Sequence, residues 1–341
     1  MTNYNAVDVF AGCGGLSQGL VKAGFNVSGA IEIDPIAAST YQLNHKFVKV
    51  IEDDITKVDG AYLLDQIGKN KGDLDLLAGC PPCQGFSSLR TKNGGLKIQD
   101  QRNELIFEFQ RLVEQIAPKT IMMENVPGLM HDQRLTSFLT FLKKRGYSVN
   151  CDILNTADFG VPQRRRRLIL LASIYGKIEF ADKAQKTTTV KRAIGKLKPA
   201  GHSGDFLHDF PEKRTPRVME MIKMIPKDGG SRKQLPDSMQ LQCHLNCKGF
   251  NDVFGRMAWD KVSPTITTGC FNPSKGRFLH PEEDRNITLR EAALLQSFPK
   301  SYKFLRSSGK QQIARLIGNA LPPEFIRRHA SSIMSHLKSN N

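Results

Sequence analysis

Two short segments carry the side chains best suited to chemistry. Residues 79–88, with the sequence GCPPCQGFSS, place Cys83 just after the apolar run Leu74–Ala78 and between turn-forming residues. Glu124 follows a second apolar run, Thr120–Met123. A thiolate can add to an electron-poor ring, and a carboxyl group can hydrogen-bond the nitrogens of that ring. The pair therefore predicts covalent catalysis at the ends of two successive strands.

Cytosine is a ring whose chemistry requires such a pair. Its carbon 5 is too weak a nucleophile to take a methyl group directly. Addition of a thiolate to carbon 6 makes the ring an enamine, whose carbon 5 attacks the electrophile. Cys83 would be that nucleophile if nearby cations or backbone amides favour its thiolate. Glu124 would be protonated, or would share a proton with ring nitrogen 3, and Asn125 would orient it.

A cationic cluster, QRRRR at 163–167, leads directly into the apolar run Leu168–Ala172. Most charge runs are solvated faces. Because side chains alternate along an extended strand, however, Arg165 and Arg167 would point the same way. Both could then reach a pocket and hold a base carbonyl or a phosphate.

The elements that must position these residues are predicted by apolar runs that end in turn residues. Runs at 6–10, 27–31, 48–51, 74–78, 120–123 and 168–172 alternate with stretches of helical spacing. This alternation predicts an α/β fold: a Rossmann-like, mostly parallel sheet with helices on both faces, plus a smaller irregular domain. Ligands bind such sheets at the carboxyl ends of the strands, where these motifs lie. Helical spacing fades near residue 183 and returns from Gln311 to Leu337.

A glycine-rich segment, FAGCGGL at 10–16, follows the first strand-like run and suits close approach of the backbone to a ligand. Glu32, at the end of the second strand, could accept hydrogen bonds from ribose hydroxyls. Asp54, at the end of the third, could accept from an adenine amino group. The dinucleotide fingerprint requires a glycine where Ser17 stands. A nucleoside cofactor without a pyrophosphate, such as S-adenosylmethionine, therefore fits better than NAD, although ordinary turn glycines and solvated acids are the alternative.

The overall charge favours a polyanionic partner. The net charge is +16, and nucleic acids bind basic proteins with release of counterions. The sequence contains no apolar run of about 18 residues to span a bilayer, and its N-terminus lacks the features of a secretory signal. We therefore expect a cytoplasmic protein that does not bind a membrane.

The seven cysteines, an odd number, indicate reduced thiols rather than a disulfide framework. Cys80 and Cys83 could be a redox pair, or they could be metal ligands together with Cys243, His244 and Cys247. The spacing of the second group does not match a zinc site, so we predict no metal.

The motifs resemble those of the DNA cytosine-5 methyltransferase family of bacterial modification enzymes, in the family's order. Residues 10–16 are similar to its glycine-rich cofactor motif, 82–84 to its nucleophile motif, 124–126 to its carboxylate motif and 163–167 to its arginine motif. Residues 290–299 resemble the motif that supports target recognition, and 317–320 the C-terminal motif that lines the cofactor site. Three residues depart from the family pattern without removing a catalytic position: Asp53, Leu294 and Leu321.

The resemblance implies transfer of a methyl group from S-adenosyl-L-methionine to carbon 5 of a flipped cytosine in a short duplex DNA sequence. The covalent intermediate would join Cys83 to carbon 6. The implied catalytic residues are Cys83, Glu124, Arg165 and Arg167. The implied cofactor contacts are Phe10, Gly12, Gly14, Gly15, Leu16, Glu32, Ile33, Asp54, Ile55, Pro82, Leu105 and Asn319.

The resemblance also implies an organisation. Residues 1–182 would be the catalytic and cofactor-binding domain, 183–299 the target-recognition domain, and 300–341 a hinge and a C-terminal helix that returns to the first domain. The segment Ser87–Arg102 could close over the flipped base. The protein would act as a monomer, and a cognate restriction endonuclease could be a further partner. Basic residues that could contact DNA phosphates, and some of them DNA bases, are Arg192, Lys196, Lys198, Arg232, Lys233, Arg256 and Lys275.

Three other functions compete with this one. A transfer RNA cytosine-5 methyltransferase would use the same chemistry, and Gly269–Asn272 faintly resembles a motif of that branch. A non-catalytic DNA-binding protein could keep the fold, but Cys83, Glu124 and Arg167 are all present. An NAD-dependent dehydrogenase is weakened by Ser17.

Overall fold

The computed structural model describes residues 4–82, 104–240 and 251–340. The chain forms two compact units. The first unit comprises Met1–Phe159, Arg166–Ala184 and Leu321–Asn341, and the second comprises Gly160–Arg165 and Gln185–Ala320.

The first unit is built on a seven-stranded sheet. Its strands are β1 (Asn5–Val9), β2 (Asn26–Ile31), β3 (Lys49–Ile51), β4 (Leu76–Gly79), β5 (Thr120–Asn125), β6 (Ser148–Asn155) and β7 (Arg166–Ser173). They are arranged in the order β3-β2-β1-β4-β5-β7-β6. The first five pair in parallel, and β7 is antiparallel to both β5 and β6. The prediction of an α/β fold with a mostly parallel sheet is confirmed.

Helices follow the strands as the alternation predicted. In the first unit these are α1 (Gly15–Lys22), α2 (Pro35–Asn44), α3 (Gly60–Gln66), α4 (Leu105–Ile116) and α5 (Gln133–Lys144). The described part of the second unit contains α6 (Val190–Ile194), α7 (Pro216–Met224), α8 (Leu289–Leu295) and α9 (Gly309–Asn319). The last helix, α10 (Pro323–Ser339), belongs to the first unit. No helix in the described ranges is long and apolar enough to cross a membrane.

The alternation of side chains along the buried strands explains why helices cover both faces of the sheet. Val7 and Val9 of β1 join a core cluster with Phe109 of α4 and Phe138 of α5. Asp8, between the two valines, points to the opposite face and bonds to α1. On that face α1 packs against α10 so closely that a Cβ at Gly19 would lie 2.5 Å from the Cβ of Ile326.

Strand β6 is the one strand of this sheet that the apolar runs did not predict. Its sequence, SVNCDILN, contains no continuous apolar run, and its residues are half-buried or exposed. The strand lies at the edge of the sheet and pairs only with β7. An edge strand buries less of its surface, so the apolar signal of a central strand is absent.

The second unit contains a buried arginine with many polar contacts. Arg256 has 0% of its surface exposed and donates to the carbonyl oxygens of Ile222, Ile225, His280 and Glu283 and to Asp284 Oδ1. The expectation that Arg256 contacts a DNA phosphate is therefore wrong, because none of its donors faces solvent. Arg232, from the same predicted set, is also buried.

Candidate active site

The glycine-rich loop leaves the carboxyl end of β1 through an unusual backbone. Phe10, Gly12 and Gly14 all have positive φ angles, of 61°, 56° and 90°. Glycine adopts this conformation without steric cost, whereas Phe10 is strained by it. A Cβ added at Gly12 would meet no described atom within 4 Å. The loop thus borders open space that a ligand could fill.

Glu32 braces this loop from the end of β2. Its Oε2 accepts from the backbone N–H of Gly12 at 2.7 Å, and its Oε1 accepts from that of Asp34 at 2.9 Å. Burial raises the pKa of Glu32 above its ordinary value. A carboxylate has about four acceptor positions, so these two bonds leave acceptor capacity for a ribose hydroxyl.

The remaining predicted cofactor residues of the first unit differ in how far they are exposed to solvent. Ile33 is 62% exposed next to Glu32, which suits contact with a flat ring. Asp54 accepts from the N–H of Thr56 at 3.0 Å at the end of β3. Ile55 and Leu16 are buried, so their side chains serve the protein interior. Gly15 is also buried, Leu105 starts α4 with a half-buried side chain, and Pro82 is half-buried.

Cys83 lies outside the described residues, but the segment that leads to it is anchored. Asn125 Nδ2 donates to the carbonyl of Pro81 at 2.9 Å, and Asn125 Oδ1 accepts from the N–H of Val126 at 2.8 Å. The parallel pairing of β4 with β5 sets Gly79 beside Met123. Residues 80–82 are therefore held next to the end of β5, where Glu124 lies.

Glu124 and Arg167 form a close ion pair. Glu124 Oε1 lies 2.8 Å from Arg167 Nε, and the two side chains are 9% and 16% exposed. The antiparallel register pairs Asn125 with Leu168, so the end of β5 meets the start of β7. Arg167 also donates from Nη1 to the carbonyl of Arg166. This ion pair holds the Glu124 carboxyl group against the start of β7.

Arg165 has different partners from Arg167. It belongs to the second unit, where its Nη1 donates to the carbonyls of Ile266 and Gly318, both at 3.1 Å. Strand alternation predicted that both arginines would serve one pocket, and the described contacts of the two are separate. Arg165 is buried and ties the end of α9 to the segment that contains Ile266.

A second buried pair supports the same region. Gln163 Nε2 donates to Gln296 Oε1 at 2.8 Å, and Gln163 Oε1 accepts from the N–H of Ile266. Gln296 Nε2 in turn donates to the carbonyl of Ile317 at 2.6 Å. Asn319, the predicted cofactor contact, is exposed at the last position of α9. Gln163 and Gln296 thus connect the segment that contains Ile266 to α9, two residues before Asn319.

Sequence reasoning missed a buried polar network on the α1 side of the sheet, formed by Asp8, Ser17, Tyr41 and His45. One available signal was a carboxylate in the middle of the apolar strand β1. Another was Ser17, which occupies a glycine position of the dinucleotide fingerprint.

The described residues include no group of three metal-ligating side chains that could hold an ion. Cys243, His244 and Cys247 lie outside the described ranges.

These features define a class of protein: a doubly wound α/β domain whose ligand loops meet at the carboxyl ends of parallel strands. Comparison with known proteins makes the assignment specific. Residues 4–335 match the family model of C-5 cytosine-specific DNA methylases. The chain belongs to this family, which confirms the resemblance of its motifs.

Curated relatives are bacterial Type II enzymes. The chain is 38% identical to the Type II methylase M.HgiDII of Herpetosiphon aurantiacus, covering 97% of this chain and 95% of that protein. It is 33% identical to the Type II methyltransferase M.Sau96I of Staphylococcus aureus, covering 99% and 77%.

Solved structures share the fold. A prophage-encoded Escherichia coli protein, assigned as a DNA modification methyltransferase, superposes with a TM-score of 0.76 at 24% identity and covers 98% of this chain and all of that one. The Dnmt2 methyltransferase of S. pombe gives a TM-score of 0.64 at 20% identity, covering 98% and 99%.

Proposed function

We propose that this protein transfers a methyl group from S-adenosyl-L-methionine to carbon 5 of a cytosine in a short duplex DNA sequence. The observation that carries the proposal is the Glu124–Arg167 ion pair at the end of β5. It lies beside the segment that Asn125 anchors two residues before Cys83. A thiol and an oriented carboxyl group on adjacent strand ends suit addition to carbon 6 of a pyrimidine.

The residues of the first unit fit the proposed cofactor. Glu32 is braced and keeps acceptor positions for a ribose. Ile33 offers an exposed apolar surface to an adenine ring, and Asp54 offers a carboxylate to its amino group. Gly12 leaves the space that a side chain would close. When bound, S-adenosylmethionine supplies an electrophilic methyl group on its sulfonium.

The reaction then needs three tasks from the chain. Cys83 adds to carbon 6 of the base, and carbon 5 gains the electron density with which it takes the methyl group. Loss of the carbon 5 proton to water and elimination of the Cys83 thiolate from carbon 6 then restore the ring and release the enzyme. Glu124 supplies or shares a proton at nitrogen 3, which prevents negative charge from accumulating on the ring. Arg167 holds Glu124 in place for this contact. Because the target atom is inaccessible in a stacked duplex, the cytosine is flipped out of the helix.

The second unit carries the proposed recognition of DNA. Five of the predicted basic residues have exposed side chains in it and can neutralise phosphates: Arg192, Lys196, Lys198, Lys233 and Lys275. We assign target recognition to residues 183–299 and cofactor binding and catalysis to 1–182, with 300–341 as the hinge and returning helix. The protein would act as a cytoplasmic monomer, next to a cognate restriction endonuclease where one is encoded.

The test is methyl transfer by the purified protein, with tritiated S-adenosylmethionine and duplex plasmid DNA. Cys83→Ala should abolish transfer while cofactor binding persists, because it removes only the nucleophile. Glu124→Gln should lower kcat by about 10²–10⁴-fold, the usual contribution of proton transfer by a side chain. Bisulfite sequencing of the product should show protected cytosines in one sequence context.

Matched controls separate chemistry from folding. Cys151→Ala removes a half-buried thiol on β6, and Glu114→Gln neutralises a surface carboxylate that pairs with Arg145. Both variants should keep full activity. Transfer that survives in Cys83→Ala would contradict the proposed mechanism. Transfer to transfer RNA but not to duplex DNA would contradict the proposed substrate.

A further inference from the structure

We propose that Tyr41 and His45, both at the C-terminal end of α2, are positioning residues for the cofactor loop. They hold the backbone of residues 10–17 through Ser17 and Gly14. The inference rests on the proposed cofactor site, and it assigns a role to residues that do not themselves line it.

The first step concerns the start of α1, which has no cap of its own. Gly14 is the N-cap residue, with φ 90°, and it has no side chain to accept from the first free amides of the helix. Asp8 of β1 takes this role from another element. Its Oδ2 accepts from the N–H of Ser17 at 3.1 Å and from Ser17 Oγ at 2.6 Å. The Asp8 side chain thus fixes where α1 begins and where the loop must end.

The second step brings in Tyr41. Its hydroxyl lies 2.7 Å from Ser17 Oγ. Ser17 has one hydroxyl proton, which is directed to Asp8, so Tyr41 is the donor and Ser17 the acceptor. Burial and the nearby Asp8 raise the pKa of Tyr41 well above its ordinary value, which keeps that proton in place. Tyr41, Ser17 and Asp8 therefore form a chain of hydrogen bonds that ends on the buried carboxyl group of Asp8.

The third step concerns His45, which holds the loop itself. His45 Nε2 lies 3.3 Å from the carbonyl of Gly14, and its ring lies 4.6 Å from that of Tyr41, between centroids. Burial lowers the pKa of His45 to about 4, so near neutral pH the ring is uncharged and donates from Nε2. With Glu32 bound to the N–H of Gly12, the loop is held by α2 on one side and by the end of β2 on the other.

This arrangement explains why Ser17 stands where a dinucleotide site has glycine. That glycine permits close packing of helix and strand. Here the same position carries a hydroxyl that joins β1 to α2, so the loop gains a hydrogen-bonded support from behind. Without these hydrogen bonds the backbone at Gly12 and Gly14 would relax in the absence of a ligand. Binding would then have to restore the conformation of the loop, which lowers affinity.

The experiment is titration calorimetry of S-adenosylmethionine with the full-length protein and its variants. Tyr41→Phe keeps the ring and removes the hydroxyl, so affinity should fall roughly 3- to 10-fold, the equivalent of one net hydrogen bond. The value of kcat at saturating cofactor should not change. Ser17→Ala should lower affinity at least as much, because it also removes the bond to Asp8. The double variant should bind no worse than Ser17→Ala alone, because the Tyr41 hydroxyl has no partner left to lose there.

Tyr62→Phe is the matched control. Tyr62 is half-exposed on α3, its hydroxyl makes no hydrogen bond within the described residues, and its loss should leave affinity unchanged. Unchanged affinity in Tyr41→Phe, or additive losses in the double variant, would overturn the inference. If Tyr41→Phe does not fold, Ser17→Ala decides alone, and unchanged affinity there overturns it. Absence of binding by the wild-type protein would instead overturn the proposed function, and this inference with it.

Discussion

Replacing Arg256 with lysine should destabilise the second unit strongly, although the charge is kept. The buried guanidinium serves five acceptors: four backbone carbonyls and one oxygen of Asp284. These acceptors come from α7 and its end, at Ile222 and Ile225, and from the segment His280–Asp284. One side chain thereby joins two parts of the chain that share no strand pairing.

The expected magnitude follows from the number of donors. A lysine ammonium has three N–H groups on one atom and cannot span acceptors that a planar guanidinium reaches from three nitrogens. At least two acceptors lose their partner, and each buried one costs about 1–3 kcal/mol. We expect the free energy of unfolding of the second unit to fall by about 2–6 kcal/mol.

The assay is denaturant unfolding followed by tryptophan fluorescence. Trp259 is the only tryptophan of the chain and lies in the second unit. Its ring centroid lies 5.1 Å from that of His280, and the two rings meet edge to face. Because the His280 carbonyl is one of the Arg256 acceptors, the fluorescence reports on the region that the substitution disturbs. Circular dichroism at the same denaturant concentrations follows both units together.

Arg217→Lys is the control, since Arg217 is exposed on α7 and its side chain makes no hydrogen bond within the described residues. That variant should change the unfolding free energy by less than about 0.5 kcal/mol. If Arg256→Lys were equally mild, the guanidinium would not be the support that its contacts indicate. A large decrease in DNA affinity without loss of stability would restore the phosphate role that its burial excludes.

Two further predictions concern the first unit. Gly19→Ala places a Cβ 2.5 Å from Ile326 Cβ and 2.7 Å from the Pro323 carbonyl oxygen, so overpacking between α1 and α10 should cost about 1–3 kcal/mol in thermal or denaturant unfolding; a neutral result would contradict the close packing of these helices. Burial raises the pKa of Asp8 from 3.8 to about 7, so the folded state holds a proton that the unfolded state releases, and the resulting stability is present below pH 4 and lost as pH rises through about 7. The stability of the wild type relative to Asp8→Asn should therefore fall by up to about 1.4 kcal/mol per pH unit across this window. Burial lowers the pKa values of His45 and His329 to about 4, so these two residues make stability rise with pH in the same range. They do so equally in the wild type and in Asp8→Asn, and their contribution cancels when the two stabilities are subtracted. A pH-independent difference would show that Asp8 is ionised throughout.

Much of the fold could be predicted from the sequence because its signals are local. The six predicted strand runs all form strands of the sheet. Apolar runs and turn residues act over a few positions, so they require no knowledge of the partner elements. Parallel strands then place all their carboxyl ends at one edge, which is why the loop after β1, Glu32, Asp54 and Glu124 were expected there together.

The partners of individual side chains could not be predicted in this way. Alternation along a strand predicted that Arg165 and Arg167 point the same way. It could not predict that Arg167 pairs with Glu124, or that Arg165 donates to the carbonyls of Ile266 and Gly318. The helical spacing from Gln311 to Leu337 corresponds to two helices, separated before Pro323, which belong to different units.

The sequence by itself determined the family, the order of the strands along the chain and the residue types available for catalysis. The tertiary structure alone decided that Arg256 is an internal support and not a DNA contact. It also decided that Asp8 caps a helix from a neighbouring strand, and that Asn125 anchors the segment before Cys83. The physical reason is that residue type and spacing report on local conformation, whereas burial and hydrogen-bond partners depend on segments far apart in the chain.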